Sequence, residues 1–139
     1  NNLNKMDKRI ILIILWLLCT IGMILHFNYH IGELFYGIDI IRPDANGEVP
    51  LGVFIIRSVF YHIPFVWILL IMYRSSKFWK ISLFVISSLY ALAHIGHFIG
   101  ELSNEALSIS QVSLLFTVLV TSLMLVFEHY RYWKQDHTN

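Results

Sequence analysis

Residues 9–30 read RIILIILWLLCTIGMILHFNYH, and the fold turns on whether this run is a cleaved leader or a retained helix. Lys5, Lys8 and Arg9 precede the apolar stretch Ile10 to Leu25, as they would in a secretory signal. No small-residue cleavage site follows, and His26 and His30 continue the helical pattern beyond the apolar part. The run therefore reads as a retained helix, since about 20 residues suffice to cross a hydrocarbon core. The chain opens on Asn, so Met6 reads as a native start.

Three more stretches have the same character: Leu51 to Tyr73, Phe78 to Ile99 and Leu107 to Tyr130. Backbone polar groups in lipid must be paired within the segment, which selects helices over isolated strands. At 139 residues, 57% hydrophobic and 14% charged, the chain is far from a soluble average. The expected fold class is an all-α integral membrane protein, a single four-helix transmembrane domain over residues 1–139. Short connections favour an up-down bundle.

Orientation follows from charge. Lys5, Lys8 and Arg9 precede the first span, Arg74, Lys77 and Lys80 lie between the second and third, and Arg131 and Lys134 follow the fourth. The other two connections carry acids: Asp39, Asp44 and Glu48 in one, Glu105 in the other. The positive-inside rule then puts both termini in the cytoplasm of a cell (inner) membrane. The loop around Ile38 to Pro50 holds the turn signals Arg42-Pro43-Asp44 and Asn46-Gly47. Its acids lack the spacing of a calcium loop and read as solvated. Tyr36, Tyr73, Trp79, Tyr130 and Trp133 fit interfacial anchoring.

A net charge of +1 gives no reason to expect nucleic acid. The single Cys19 excludes an internal disulfide. No glycine-rich phosphate loop, CxxC pair or GxSxG elbow is present.

The polar residues inside the spans carry the functional signal. Each helical residue turns by about 100°, so His30 lies about 40° from His26, and Glu33 about 20° to the other side. Gly22 and Cys19 extend this stripe, and Ser87, Tyr90, His94, His97 and Glu101 form a similar one on the third span. With both helices running outward, His26 and His94 would lie about 10 Å below the outer interface. Ionisable groups at such depth are costly, and a functional site is their default explanation. Taken singly, each has an ordinary reading: a hydrogen-bonded packing histidine, an interfacial glutamate, or an ion pair with Arg57. Six at one depth on two narrow stripes point to a metal site.

The expected ligands are His26, His30, Glu33, His94, His97 and Glu101. Imidazole and carboxylate donors suit zinc or iron, and six of them exceed the four ligands of one zinc, leaving room for two ions. Arg57, Tyr61, His62, Tyr90 and Gln111 are candidates for a surrounding or substrate-binding shell. Pro64 would kink the second span and turn Arg57 or His62 inward. The stripe Ser110, Ser113, Thr117 and Thr121 reads as a close helix-packing face. His129 and His137 fall at the opposite end and are set aside.

The expected function is a metal-dependent enzyme, hydrolase or oxidoreductase, acting on a lipid-like or exported substrate from the outer side. Arg57 would bind an anionic head group, and Tyr61 or Tyr90 would donate a proton. A b-type haem held by His26 with His94, or His30 with His97, is the alternative. A proton or ion relay and an accessory subunit are others. Besides the bilayer, a second copy of the chain or a larger complex is an expected partner, since it would close a lateral opening.

Overall fold

The computed structural model describes residues 7–41, 45–103 and 108–134. Lys5, Met6, Arg42, Pro43, Asp44, Glu105, Leu107 and His137 lie outside the described residues. Among those described there is no strand; four helices are long and apolar enough to cross a membrane.

Helix α1 is Lys8–Gly32. Asp7 starts it, its carboxylate accepting from the Arg9 N–H at 3.0 Å, which satisfies a donor that the first turn leaves free. A 3₁₀ turn, Glu33–Tyr36, continues it. Gly37 then ends the run at φ 74°, with its N–H donating to Leu34 O. Only glycine takes that left-handed cap without strain.

Helix α2 is Leu51–Tyr73, preceded by Pro50, which does not need to donate there. Just before Pro64 the helix widens into a π-helical turn over Ser58–His62, where Ile63 N–H donates to Ser58 O. Pro64 has no N–H to offer Phe60, and its ring crowds the carbonyl four residues back. The wider turn accommodates both. It faces Phe60 into the core and leaves Arg57 and His62 exposed.

Helices α3, Lys77–Leu102, and α4, Ile109–Lys134, both extend past the hydropathy limits at their C-terminal ends. Apolar character stops where Glu101 and the Arg131–Lys134 turn begin, but the backbone hydrogen bonding does not. Basic side chains in a last turn also suit the carbonyl end of a helix.

Helix α1 packs on α4 and on α2, and α3 packs on α4. The core joins Leu12, Trp16 and Met23 of α1 to Phe60 and Ile71 of α2, Leu83 of α3, and Leu115 and Leu125 of α4. Gly22 lets α1 approach α4 closely: a Cβ there would overlap Val118 Cγ2. The hydroxyl stripe does not perform that task. Ser110, Ser113 and Thr117 are exposed, and Ser113, Thr117 and Thr121 donate to carbonyls four residues back on their own helix. Self-satisfied hydroxyls can face outward without an orphaned donor.

The outer surface is apolar, with Leu18, Ile21, Phe65, Leu89 and Phe127 among many exposed large side chains. Such a continuous apolar exterior needs lipid or a partner to cover it. At one end, Arg9 Nε donates to Tyr132 Oη at 3.1 Å, and the Lys80 ammonium sits 4.5 Å over the same ring. Basic residues from the starts of α1 and α3 thus meet the end of α4. The histidine-rich ends of α1 and α3 lie away from them.

Candidate metal centre

The final turns of α1 and α3 carry the donors, and helical spacing aligns them. Donor atoms of His26, His30 and Glu101 all lie within 4.8 Å of one another. His97 joins through His26, with Nε2 to Nε2 at 3.1 Å and ring centroids 4.9 Å apart. His26 is buried, while His30, His97 and Glu101 are partly covered.

Gln111 ties this group to α4. Its side chain is 1% exposed, and its Nε2 stands 3.0 Å from both His30 Nδ1 and Glu33 Oε1. A carboxamide has two N–H groups, so it can serve both partners. Glu33 Oε2 is 3.6 Å from the same His30 nitrogen. Glu33 and Gln111 therefore flank the Nδ1 edge of His30; for Nε2 to ligate an ion, Nδ1 must carry the proton and donate it, to the Glu33 carboxylate or to a Gln111 carboxamide turned oxygen-first.

His94 stands elsewhere. It is 2% exposed, neither ring nitrogen has a hydrogen-bond partner, and it is boxed by Tyr90 and Phe60 at centroid distances of 4.5 and 5.0 Å. It is not one of the residues whose donor atoms converge. The same packing buries the Tyr90 hydroxyl without a partner. Tyr61 Oη donates to Met23 O at 3.3 Å, linking α2 to α1. Arg57 is exposed, and His62, also exposed, has its Nδ1 3.3 Å from Ser58 Oγ of its own helix. Neither reaches the cluster through a contact.

His129 is fully buried at the opposite end, where it accepts from Trp16 Nε1 at 3.1 Å. Set aside as lying at the end opposite the donors, it serves there as a core hydrogen-bond acceptor.

Phe60 is the site residue that sequence reasoning missed. It touches the rings of His94, His97 and Tyr90, and only the π-helical turn before Pro64 brings it there. The cue was Pro64, whose effect on register was not legible from spacing.

Two clefts reach the cluster. One of about 990 Å³ is bordered by His30, Glu33, Asp39, Glu101 and Ser108; Asp39 thus borders the site besides belonging to its loop. The other, about 420 Å³, is bordered by Ile56, Phe60, Gly96, His97 and Glu101. An ion among these donors would have open space on two sides. No protein-family model, curated protein or solved structure matches the chain.

Proposed function

We propose that this chain is an integral membrane metalloprotein that holds a divalent ion with His26, His30, His97 and Glu101. The observation that carries the reading is the convergence of three donors from two helices within 4.8 Å, with a fourth touching His26 at 3.1 Å. Two nitrogens bound at 2.0–2.1 Å to one tetrahedral ion stand about 3.3 Å apart, so the His26–His97 pair is already close to ligand spacing. Glu33 and Gln111 orient His30, and His94 belongs to the packed core. The six expected ligands thus reduce to four, a complement suited to one ion and not two.

In this reading the helices form an up-down bundle with both termini cytoplasmic. The gathering of Arg9 and Lys80 about Tyr132 supports it, because cationic residues favour the cytoplasmic side. The centre then faces the exterior or periplasm. A bound ion would supply Lewis acidity, activating water or polarising a carbonyl. The chain's own residues position it, with Glu101 bordering both clefts where a substrate would enter.

Zinc or iron fits the nitrogen-rich donor set. Zinc has no redox chemistry and would assign hydrolysis, whereas iron would assign oxidation. A relay needs a continued hydrogen-bonded string, and His94, next inward on α3, has no such bond.

The test is metal content per chain, by mass spectrometry, of protein purified in detergent without chelator. About one ion per chain is expected, falling sharply in His30→Ala and Glu101→Gln. A metal-free wild type after reconstitution, or full occupancy in both variants, would overturn the centre.

A further inference from the structure

The net charge of +1 conceals a strong separation of charge along the bundle. Every lysine and arginine except Arg42 and Arg57 belongs by sequence to the end where α1 and α3 begin and α2 and α4 finish. Of the acids, only Asp7, Glu128 and Asp136 do, so eight of ten cations share that end with three of nine acids. Among the described residues, Arg131 alone of Lys8, Arg9, Arg74, Lys77, Arg131 and Lys134 pairs with a carboxylate, Glu128 at 2.8 Å.

Arg9 differs from the rest in being held. It is partly covered, and its Nε donates to Tyr132 Oη at 3.1 Å, which ties it to α4. Its two terminal nitrogens have no acceptor among the described residues. A guanidinium fixed in this way offers a planar fork that matches two oxygens of a phosphate. Holding the side chain beforehand also removes part of the ordering cost of binding. The Lys80 ammonium, 4.5 Å over the same tyrosine ring, brings a second positive charge from α3.

Beside Arg9 an exposed aliphatic strip begins. Ile10, Ile14, Leu17 and Ile21 are each 40–50% exposed, and at about 100° per residue they fall within an arc of about 60° on α1. At 1.5 Å per residue the strip is about 16 Å long, half of a hydrocarbon core of about 30 Å. It therefore runs from the basic end through one leaflet, the path of an acyl chain below its head.

From the charge, the held guanidinium and the strip, we infer that this end binds an anionic diacyl phospholipid, its phosphate on Arg9 and its chains along Ile10 to Ile21. A zwitterionic head would set its own cation among an excess of like charges, so the head is negative overall. On the orientation proposed above, the site lies in the cytoplasmic leaflet, where anionic lipids attract basic segments. It is independent of the metal centre at the opposite end.

The full-length protein in an uncharged detergent is titrated with dioleoyl phosphatidylglycerol or dioleoyl phosphatidylcholine, and bound lipid is counted by native mass spectrometry. Phosphatidylglycerol should bind about tenfold or more tightly than phosphatidylcholine. Arg9→Lys keeps the charge but not the fork and should weaken phosphatidylglycerol about tenfold, the worth of a hydrogen bond to a charged group. Lys77→Gln removes a whole charge from the same end and should cost about fivefold or less, what one cation contributes near an anionic surface. Tyr132→Phe keeps the ring and every cation but releases Arg9, and should weaken binding in the same direction as Arg9→Lys, which tests the site without altering the guanidinium.

Equal affinity for the two lipids would overturn the proposal. Unchanged binding in Arg9→Lys or in Tyr132→Phe, or a larger loss in Lys77→Gln than in Arg9→Lys, would also overturn it and leave a diffuse basic surface. Displacement of the lipid by free glycerophosphate at equal concentration would overturn it in favour of a soluble phosphate.

Discussion

Replacing Gly22 by alanine tests the close approach of α1 and α4 that holds the centre together. A Cβ on Gly22 would overlap Val118 Cγ2 and come within 3.6 Å of Val118 Cβ. Val118 is buried, and a β-branched side chain within a helix has one strongly preferred rotamer. It cannot swing aside, so the helices must part by roughly an ångström in an otherwise close-packed interface. Overpacking of this kind costs about 1–3 kcal/mol. Val118→Ala in the same chain removes both γ-methyls and should recover much of that loss, although alone it leaves a void and is itself destabilising. The double variant should thus show a favourable coupling of about 1–2 kcal/mol relative to the sum of the singles. Denaturant or thermal unfolding in detergent, followed by tryptophan fluorescence, measures all three variants. Gly22 lies one turn from His26, so parting the helices should also draw His30 from Gln111 and lower metal retention, with recovery in the double variant. Wild-type stability in Gly22→Ala, or no rescue by Val118→Ala, would refute the reasoning.

Three further substitutions separate orienting, packing and ligating roles. Gln111→Leu removes the shared partner of His30 and Glu33 and should weaken metal affinity about 10–100-fold, measured by competition with a chelator; unchanged affinity would remove Gln111 from the centre. His94→Leu deletes two buried nitrogens that have no partner and should leave stability equal or raise it by about 1 kcal/mol or more. Metal content should not change in that variant, and its loss would place His94 among the ligands. His129→Leu strands the Trp16 indole N–H that it now accepts and should cost about 1–3 kcal/mol. The double variant Trp16→Phe/His129→Leu should lose less per residue changed, and a larger loss would point to a different role for the pair.

The sequence alone determined the four helices, because span length and apolar character are local properties and backbone pairing leaves a segment in lipid little choice. The bounds of α2, Leu51–Tyr73, agree to the residue. It also singled out His26, His30, Glu33, His94, His97 and Glu101 as one group, since costly groups at matched helical spacing stand out against an apolar background. What it could not decide is how each helix is rotated against its neighbours. His94 and His97 differ by about 60° around α3, enough for one to face His26 and the other to be enclosed by Phe60 and Tyr90. Gln111 was one polar residue near the start of α4 until packing put its amide between His30 and Glu33. Arg57 and His62 could have faced either way around Pro64; the π-helical turn left both exposed and put Phe60 in the core. Periodicity relates a side chain to its own helix axis, whereas a site is a relation between axes, and only the packing of Gly22 on Val118 and its neighbours sets that relation.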